Sequence, residues 1–363
     1  QECPLTLVRA MEEDSRGYTD ELWRQIAAVG WTGLVFPEQY GGTGGSFLDL
    51  AVLLEEMGHA LLPGPFFSTV VLGGLTVLDA GTEVQKADIV PRICSAQLMM
   101  TMALTEPSAT YEPWGIETVA QSQGDNYVIN GAKAFISGAS RSDLYVCMVL
   151  TGDDGPKGIS CIVVEDGTPG LSFGAQEKKL GWHSQPTAMV NFDDCRVPVA
   201  NLIGAEGQGF EIAMRALDGG RINIAARAVG VAQAAFEAAI KYSQRRETFG
   251  KPISEHQAIQ LKLADMATKI QAARLLVYDA AAKKDTGQRV DLESGMAKLF
   301  ASEVCLEVAM ESMRVHGGAG YIKDLPVERY YRDAPLMVIG EGTNEVMRLV
   351  IAKQLLRLPE YQL

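Results

Sequence analysis

From Ile259 to Val277 apolar residues recur in alternating four- and three-residue steps: Ile259, Leu263, Met266, Ile270, Ala273 and Val277. This spacing draws one apolar stripe down a single face of a long helix, the pattern of an antiparallel bundle. Met296–Met313 repeats it. Such stripes are core by default and identify no cofactor by themselves. The chain after Gly207 therefore predicts long packed helices.

Upstream the texture changes twice. Up to about residue 100 it is helical, with Leu22, Ile26 and Val29 following a Thr19/Asp20 cap. Ser46 with Asp49 forms a capping-box pattern that opens a helix through Leu62, ended by Pro63-Gly64-Pro65. The stretch Gly41-Gly42-Thr43-Gly44-Gly45 follows no clear strand and precedes no Lys-Ser/Thr, so it predicts a flexible connection between helices and not a phosphate loop. Between 101 and 205 short β runs alternate with Gly, Asp and Asn: Thr118–Ser122, Tyr127–Asn130, Leu144–Leu150, Ile159–Glu165 and Ala188–Phe192. Their spacing predicts a small antiparallel barrel or sandwich. No G-x-G-x-x-G follows a strand, which disfavours a dinucleotide-binding parallel sheet. The expected division is 1–100 helical, 101–205 β and 206–363 helical bundle.

Composition narrows the function classes. Lys and Arg number 32 against 45 Asp and Glu, a formal charge of −13. Such a surface repels phosphate backbones, and no local basic patch offsets it, so nucleic acid is not an expected partner. No apolar run reaches the roughly 18–20 residues that span a bilayer, so no membrane role is expected. Six scattered cysteines lack any C-x-x-C pair, and four scattered histidines show no metal-ligand spacing. Buried, reduced thiols in a reducing compartment are the expectation, with no metal. Gln1 is not a natural start, so a preceding targeting segment cannot be assessed.

A series of short segments is more specific. In chain order these are Pro37-Glu38-Gln39-Tyr40-Gly41-Gly42, Leu104-Thr105-Glu106-Pro107, Asn130–Ser137, Asp194-Cys195-Arg196-Val197-Pro198, Gly204–Phe210, Arg246–Lys251, His256-Gln257-Ala258-Ile259, His316-Gly317-Gly318 and Glu341-Gly342-Thr343-Asn344-Glu345. In this order and on these element types the chain resembles the acyl-CoA dehydrogenase family over essentially its whole length. The resemblance implies an α+β fold with an N-terminal helical domain, a middle antiparallel β domain and a C-terminal four-helix bundle. Residues 127 to 313 look most like isobutyryl-CoA dehydrogenase, a short branched-chain enzyme. The first third, including Leu62–Phe67, looks like another bacterial branch, as a mosaic would.

The implied reaction removes two hydrogens across the α and β carbons of an acyl-CoA thioester. A base takes the α proton and FAD receives the β hydrogen as hydride. An exposed carboxylate is too weak for this proton, so burial must raise its basicity, and hydrogen bonds must stabilise the developing enolate. In most family members the base is the Glu of a Glu-Gly-Thr stretch, matching Glu341. The minority position falls on Gly220, which cannot act as a base. Leu104, Thr105, Phe135 and Ser137 match residues that bracket the flavin ring. Arg246, Thr248, Phe249 and Gln257 match residues that reach the FAD of a neighbouring subunit; the alternative reading of Arg246 is a surface charge in a run of two arginines. Gly317, Gly318, Thr343 and Glu345 complete the implied cofactor site, and Arg314 adds a cation near its adenine end. Asp218 and Arg221 match positions near the pantetheine and the catalytic loop, and read equally as a local salt bridge. Gly340 and Gly342 flank the base in the implied substrate site.

Two departures from the family bear on substrate. Tyr111 stands where a small Ser normally touches flavin and substrate. Gly340 replaces a larger residue that often lines the acyl pocket, which widens it toward branched or bulky groups. The implied partners are an acyl-CoA substrate, electron-transferring flavoprotein as acceptor, and further copies of the chain in a homotetramer. The implied location is the cytoplasm, or the mitochondrial matrix in a eukaryote. Two other readings stay open: an acyl-CoA oxidase or flavin monooxygenase on the same fold, and a non-catalytic acyl-CoA or FAD-binding scaffold, which Tyr111 favours.

Overall fold

The computed structural model describes residues 3–108, 115–152 and 155–359. Helices α1 (Leu5–Glu13), α2 (Asp20–Ala28), α3 (Phe47–His59), α4 (Leu75–Ala80) and α5 (Glu83–Cys94) precede the strands. The strands are β1 (Met100–Ala103), β2 (Val119–Gln123), β3 (Asn126–Ser137), β4 (Leu144–Leu150), β5 (Ile159–Glu165), β6 (Leu171–Phe173), β7 (Thr187–Pro198) and β8 (Leu202–Ile203). Then come α6 (Gly209–Ser243), the short strands β9 (Glu247–Thr248) and β10 (Lys251–Pro252), α7 (Gln257–Asp285), α8 (Asp291–His316), α9 (Gly318–Tyr321), α10 (Val327–Ile339) and α11 (Asn344–Leu355). The chain forms two compact units. The first takes the residues through Gly45, then Pro63–Lys179 and His183–Leu217; the second takes Ser46–Leu62, Leu180–Trp182 and the chain from Asp218 onward.

In the first unit, β1 to β8 form a sheet ordered β6-β7-β3-β2-β4-β5-β8, with β1 beside β4. Strand β4 is an unbroken apolar run and is buried at every position, as a strand covered on both faces must be. Tyr145, Cys147, Val149, Ile129, Ile162, Val190 and Phe192 form its core. The sheet departs from a purely antiparallel arrangement: β1 pairs with β4 in parallel, and β2 touches β4 in parallel at Val119 and Leu150. Parallel partners distant along the chain leave no turn signal to read. The Gly41–Gly45 connection is not flexible. Gly42, Thr43, Gly44 and Gly45 each donate a backbone hydrogen bond, to Pro37, Gly33, Phe36 and Leu34. A Cβ at Gly42 would lie 2.0 Å from the Phe36 carbonyl oxygen, which is why the stretch needs glycine there.

Thr19 caps α2 by accepting from the Leu22 amide at 3.2 Å. Leu22 and Ile26 are buried as the stripe predicts, but Val29 is 63% exposed because the helix ends at Ala28 and turns it outward. A π-helical segment, Phe67–Gly74, runs into α4.

In the second unit, α7 and α8 pack side by side, and α10 and α11 pack on α8. The α7 stripe is core at Met266, Ile270, Ala273 and Val277. Helix α3 carries the predicted capping box at Ser46 and Asp49, and ends at His59, three residues before the expected Leu62, with Leu61 in a left-handed conformation. It crosses α6 closely: a Cβ at Gly230 would sit 1.8 Å from the Glu55 carbonyl oxygen, and one at Gly58 would sit 2.2 Å from that of Arg227. The end of α7 also holds the start of α3, where the Asp285 carboxylate accepts from the Phe47 and Leu48 amides at 2.6 and 3.1 Å.

Candidate active site

Helix α10 stops at Ile339 and α11 starts at Asn344, and Glu341 sits in the break. Its φ is +57°, a conformation seldom adopted by a residue with a long side chain, and Gly342 follows at +90°. Backbone strain of this kind concentrates where function needs a fixed geometry. Thr343 ends the break as the α11 cap, its hydroxyl accepting from the Val346 amide at 3.3 Å.

Glu341 as a residue keeps some exposure, yet its Oε2 is buried and accepts no hydrogen bond among the described residues. Burial pushes the carboxyl up to about 7, against the opposing charges of Arg221 and Lys298. Desolvation disfavours the charged form, and a carboxyl near 7 matches a general base working near neutral pH.

Arg221 Nε lies 3.5 Å from the Glu341 carbonyl oxygen, and its Nη1 donates to Asp218 at 2.8 Å. Both readings of Asp218 and Arg221 thus coexist in one geometry: they form the local ion pair, and Arg221 adjoins the Glu341 turn. Burial raises Asp218 to about 6, opposed by Arg221. For neighbouring Asp291 burial is the largest single effect and raises it, but the hydrogen bond and charge of Arg289, the hydrogen bond with Asp218 and the charge of Arg221 together hold it below its ordinary value.

Two further residues of this cluster, Lys298 and Asp291, carried no assignment in the sequence. Lys298 has no exposed surface; its ammonium donates to the carbonyls of Gly342 at 2.7 Å and Val338 at 3.3 Å, and to Asn344 Oδ1 at 2.8 Å. The signal that reveals it is a lysine on the apolar face of α8, beside buried Ala297 and Ala301.

Other expected residues lie elsewhere on the same unit. Phe249 and Gly250 form the turn between β9 and β10, at φ +52° and +78°. Two-residue hairpins favour Asn or Gly at such positions, yet here a phenyl ring is 97% exposed. Thr248 is tied to His256 Nε2 through its hydroxyl and carbonyl, and Arg246 and Gln257 are exposed nearby along the chain. Gly317 and Gly318 join α8 to α9; an added Cβ at either meets nothing within 4 Å among the described residues. Arg314 is exposed and paired with Glu311. Glu345 is exposed in the first turn of α11.

On the first unit, Leu104 and Thr105 leave β1 beside the end of β3, where the Ala134 amide donates to the Thr105 carbonyl at 2.8 Å. A register shift between Lys133 and Ile136 throws Phe135 outward, at φ +57° and 66% exposure. The Ser137 carbonyl accepts from the Thr101 hydroxyl at 2.6 Å. Under this edge lies a buried ion pair, Lys133 to Glu106 at 2.6 Å. Tyr111 lies outside the described residues.

Residues 3–97, 101–195 and 207–356 match, in turn, the N-terminal, middle and C-terminal domains of acyl-CoA dehydrogenases. The chain belongs to the acyl-CoA dehydrogenase family. It is 45% identical to the mitochondrial isobutyryl-CoA dehydrogenase of Dictyostelium discoideum over 92% of this chain and 81% of that one. It superposes on butyryl-CoA dehydrogenase from Megasphaera elsdenii with a TM-score of 0.92 at 39% identity, over 97% of this chain and 94% of the other. A chain solved in work on the electron transferring flavoprotein of Acidaminococcus fermentans gives a TM-score of 0.93 at 42% identity, with the same coverage.

This acyl-CoA dehydrogenase is an FAD-dependent enzyme that oxidises an acyl-CoA thioester. Its residues fit that cofactor. Phe135 and Phe249 are solvent-facing aromatics held out by strained backbone, suited to planar ring contact, and Gly317 and Gly318 leave the backbone open to close approach. Among the described residues no helix is long and apolar enough to cross a membrane.

Proposed function

We propose that this enzyme dehydrogenates a short, branched acyl-CoA, with Glu341 as the base that takes the α proton. One observation carries the assignment: Glu341 sits on strained backbone in a helix break, with a buried oxygen that no described residue satisfies and a carboxyl pushed up to about 7. Such a group is basic enough to take a weakly acidic proton and is ionised in a useful fraction at neutral pH. The buried cations Arg221 and Lys298 favour its charged form without clasping the carboxylate oxygen that must react. When bound, FAD supplies the hydride acceptor. By the family resemblance, the residues that would hold it are Leu104, Thr105, Phe135, Ser137, Arg246, Thr248, Phe249, Gln257, Arg314, Gly317, Gly318, Thr343 and Glu345. Asp218, Arg221, Gly340 and Gly342 would face the substrate.

The branched substrate class rests on the likeness to isobutyryl-CoA dehydrogenase and on Gly340. Among the described residues a Cβ there would meet only Leu336, its carbonyl oxygen at 3.3 Å. The relative solved in work on electron transferring flavoprotein supports such a flavoprotein as acceptor. Exposed Phe249 supports cofactor contacts across copies of the chain, and with them a homotetramer, built on domains 1–100, 101–205 and 206–363. The setting is the cytoplasm, or in a eukaryote the mitochondrial matrix, the latter in accord with the mitochondrial relative. Turnover across straight, branched and cyclic acyl-CoAs with an artificial acceptor tests the substrate. Isobutyryl- or 2-methylbutyryl-CoA should lead. Butyryl- or octanoyl-CoA far ahead of every branched thioester overturns the branched reading.

A further inference from the structure

The buried face of α8 is built of small and apolar residues around Lys298, among them Gly295, Ala297, Ala301 and Ser302. A buried ammonium is unfavourable unless it is paired and fully hydrogen-bonded. Lys298 meets the second of these conditions, with three hydrogen bonds to neutral oxygens, in an unusual place. Its acceptors are Val338 in the last turn of α10, Gly342 inside the break, and Asn344 at the first residue of α11. Glu341 lies between the first of these and the other two. The last carbonyls of a helix have no partner within it, so Lys298 satisfies groups the break would otherwise orphan. Asn344 is itself fixed, its Oδ1 accepting from Ser302 Oγ at 3.1 Å and its Nδ2 donating to Ser302 Oγ at 3.0 Å.

We propose that Lys298 is a positioning residue for Glu341: it clamps the turn on both sides of the carboxylate and supplies a buried positive charge that favours the ionised base. This rests on the reading of Glu341 as the base. The charges around the pair come from several elements: Arg221 with its partner Asp218 on α6, Glu303 on α8, and Glu345 and Arg348 on α11. Burial pushes Lys298 down to about 8, and Glu341 is the strongest charge opposing that fall. Lys298 is therefore still largely an ammonium at neutral pH. Each member of the pair supports the charged form of the other.

The test uses FAD-loaded wild type, Lys298→Met, Lys298→Arg, Asn344→Asp and Glu341→Gln. It reads the pH dependence of flavin reduction by isobutyryl-CoA together with amide hydrogen exchange across residues 339–344. Loss of the cation should move the base limb of Lys298→Met up by about one pH unit, and loosening of the clamp should speed exchange in the turn roughly tenfold. Lys298→Arg should restore most of the limb. A Lys298→Met enzyme with the wild-type limb and wild-type exchange overturns the proposal. If that variant yields no holoenzyme, Asn344→Asp carries the test, because its carboxylate neutralises the same ammonium; an unmoved limb there also overturns it. Glu341→Gln separates the two levels. Continued flavin reduction in that variant sinks the base assignment itself, whereas an inactive Glu341→Gln beside an unshifted Lys298→Met sinks only the clamp.

Discussion

Arg221 and Glu341 meet through a main-chain oxygen: Nε lies 3.5 Å from the Glu341 carbonyl, while Nη1 is committed to Asp218 at 2.8 Å. A guanidinium clasping the carboxylate would lower its pKa and weaken it as a base. Placed beside the backbone, Arg221 contributes charge and leaves Glu341 Oε2 without a hydrogen-bond partner among the described residues.

The rate of flavin reduction should therefore follow the ionisation of Glu341. The base works only when deprotonated, and its carboxyl is pushed up to about 7. Stopped-flow reduction at saturating acyl-CoA should climb as pH rises from 5.5 to 8.5, as roughly one ionisation near 7. A flat profile across that range contradicts a raised pKa at the base.

The same burial should weaken the fold. Glu341 titrates at about 7 in the folded chain against an ordinary 4.5, so the native state binds the extra proton between those values. Stability is lost as pH rises through that window. Glu341→Gln should therefore be more stable than wild type at pH 8 by about 1–3 kcal/mol, with the advantage disappearing near pH 4. Denaturant unfolding at the two pH values measures it.

Gly340 and Gly342 should respond differently to substitution. Gly342 has φ +90°, and an added Cβ would stand 2.8 Å from Met347 Cε. Gly342→Ala should cost about 1–2 kcal/mol through the strained backbone and slow reduction by displacing Glu341. Gly340 lacks a positive φ, so Gly340→Ala should be nearly neutral in thermal unfolding. The larger Gly340→Val should shift preference toward straight chains in the acyl-CoA panel.

Lys133→Met tests the edge beneath Leu104 and Thr105. Lys133 is fully buried and donates to Glu106 at 2.6 Å, to the Met148 carbonyl at 2.5 Å and to the Leu104 carbonyl at 3.3 Å. Its removal strands a buried carboxylate and should cost about 3–5 kcal/mol. Adding Glu106→Gln should recover part of that loss, read by denaturant unfolding of single and double variants.

What could be read in advance follows from locality. The α7 stripe, the Ser46 capping box and strands β4 and β5 each write their signal within a few adjacent residues, and each appears where expected. The Glu341 turn was legible as a motif through its Gly neighbours, but its positive φ was not, because nothing local demands it. Lys298 was easily passed over for a different reason. A lysine in a helix normally marks the solvent side, and its burial here depends on carbonyls more than 35 residues away in sequence. The parallel pairing of β1 with β4 and the union of α3 with the C-terminal helices are likewise decided by distant partners.

The central claim is that Glu341 takes the α proton during FAD-dependent oxidation of an acyl-CoA. Anaerobic mixing of FAD-loaded wild type and Glu341→Gln with isobutyryl-CoA, followed at the flavin absorbance, tests it most directly. Wild type should bleach rapidly, while Glu341→Gln should bind the thioester with its flavin still oxidised, slowed by about a thousandfold or more. Bleaching of the variant at the wild-type rate would contradict the account.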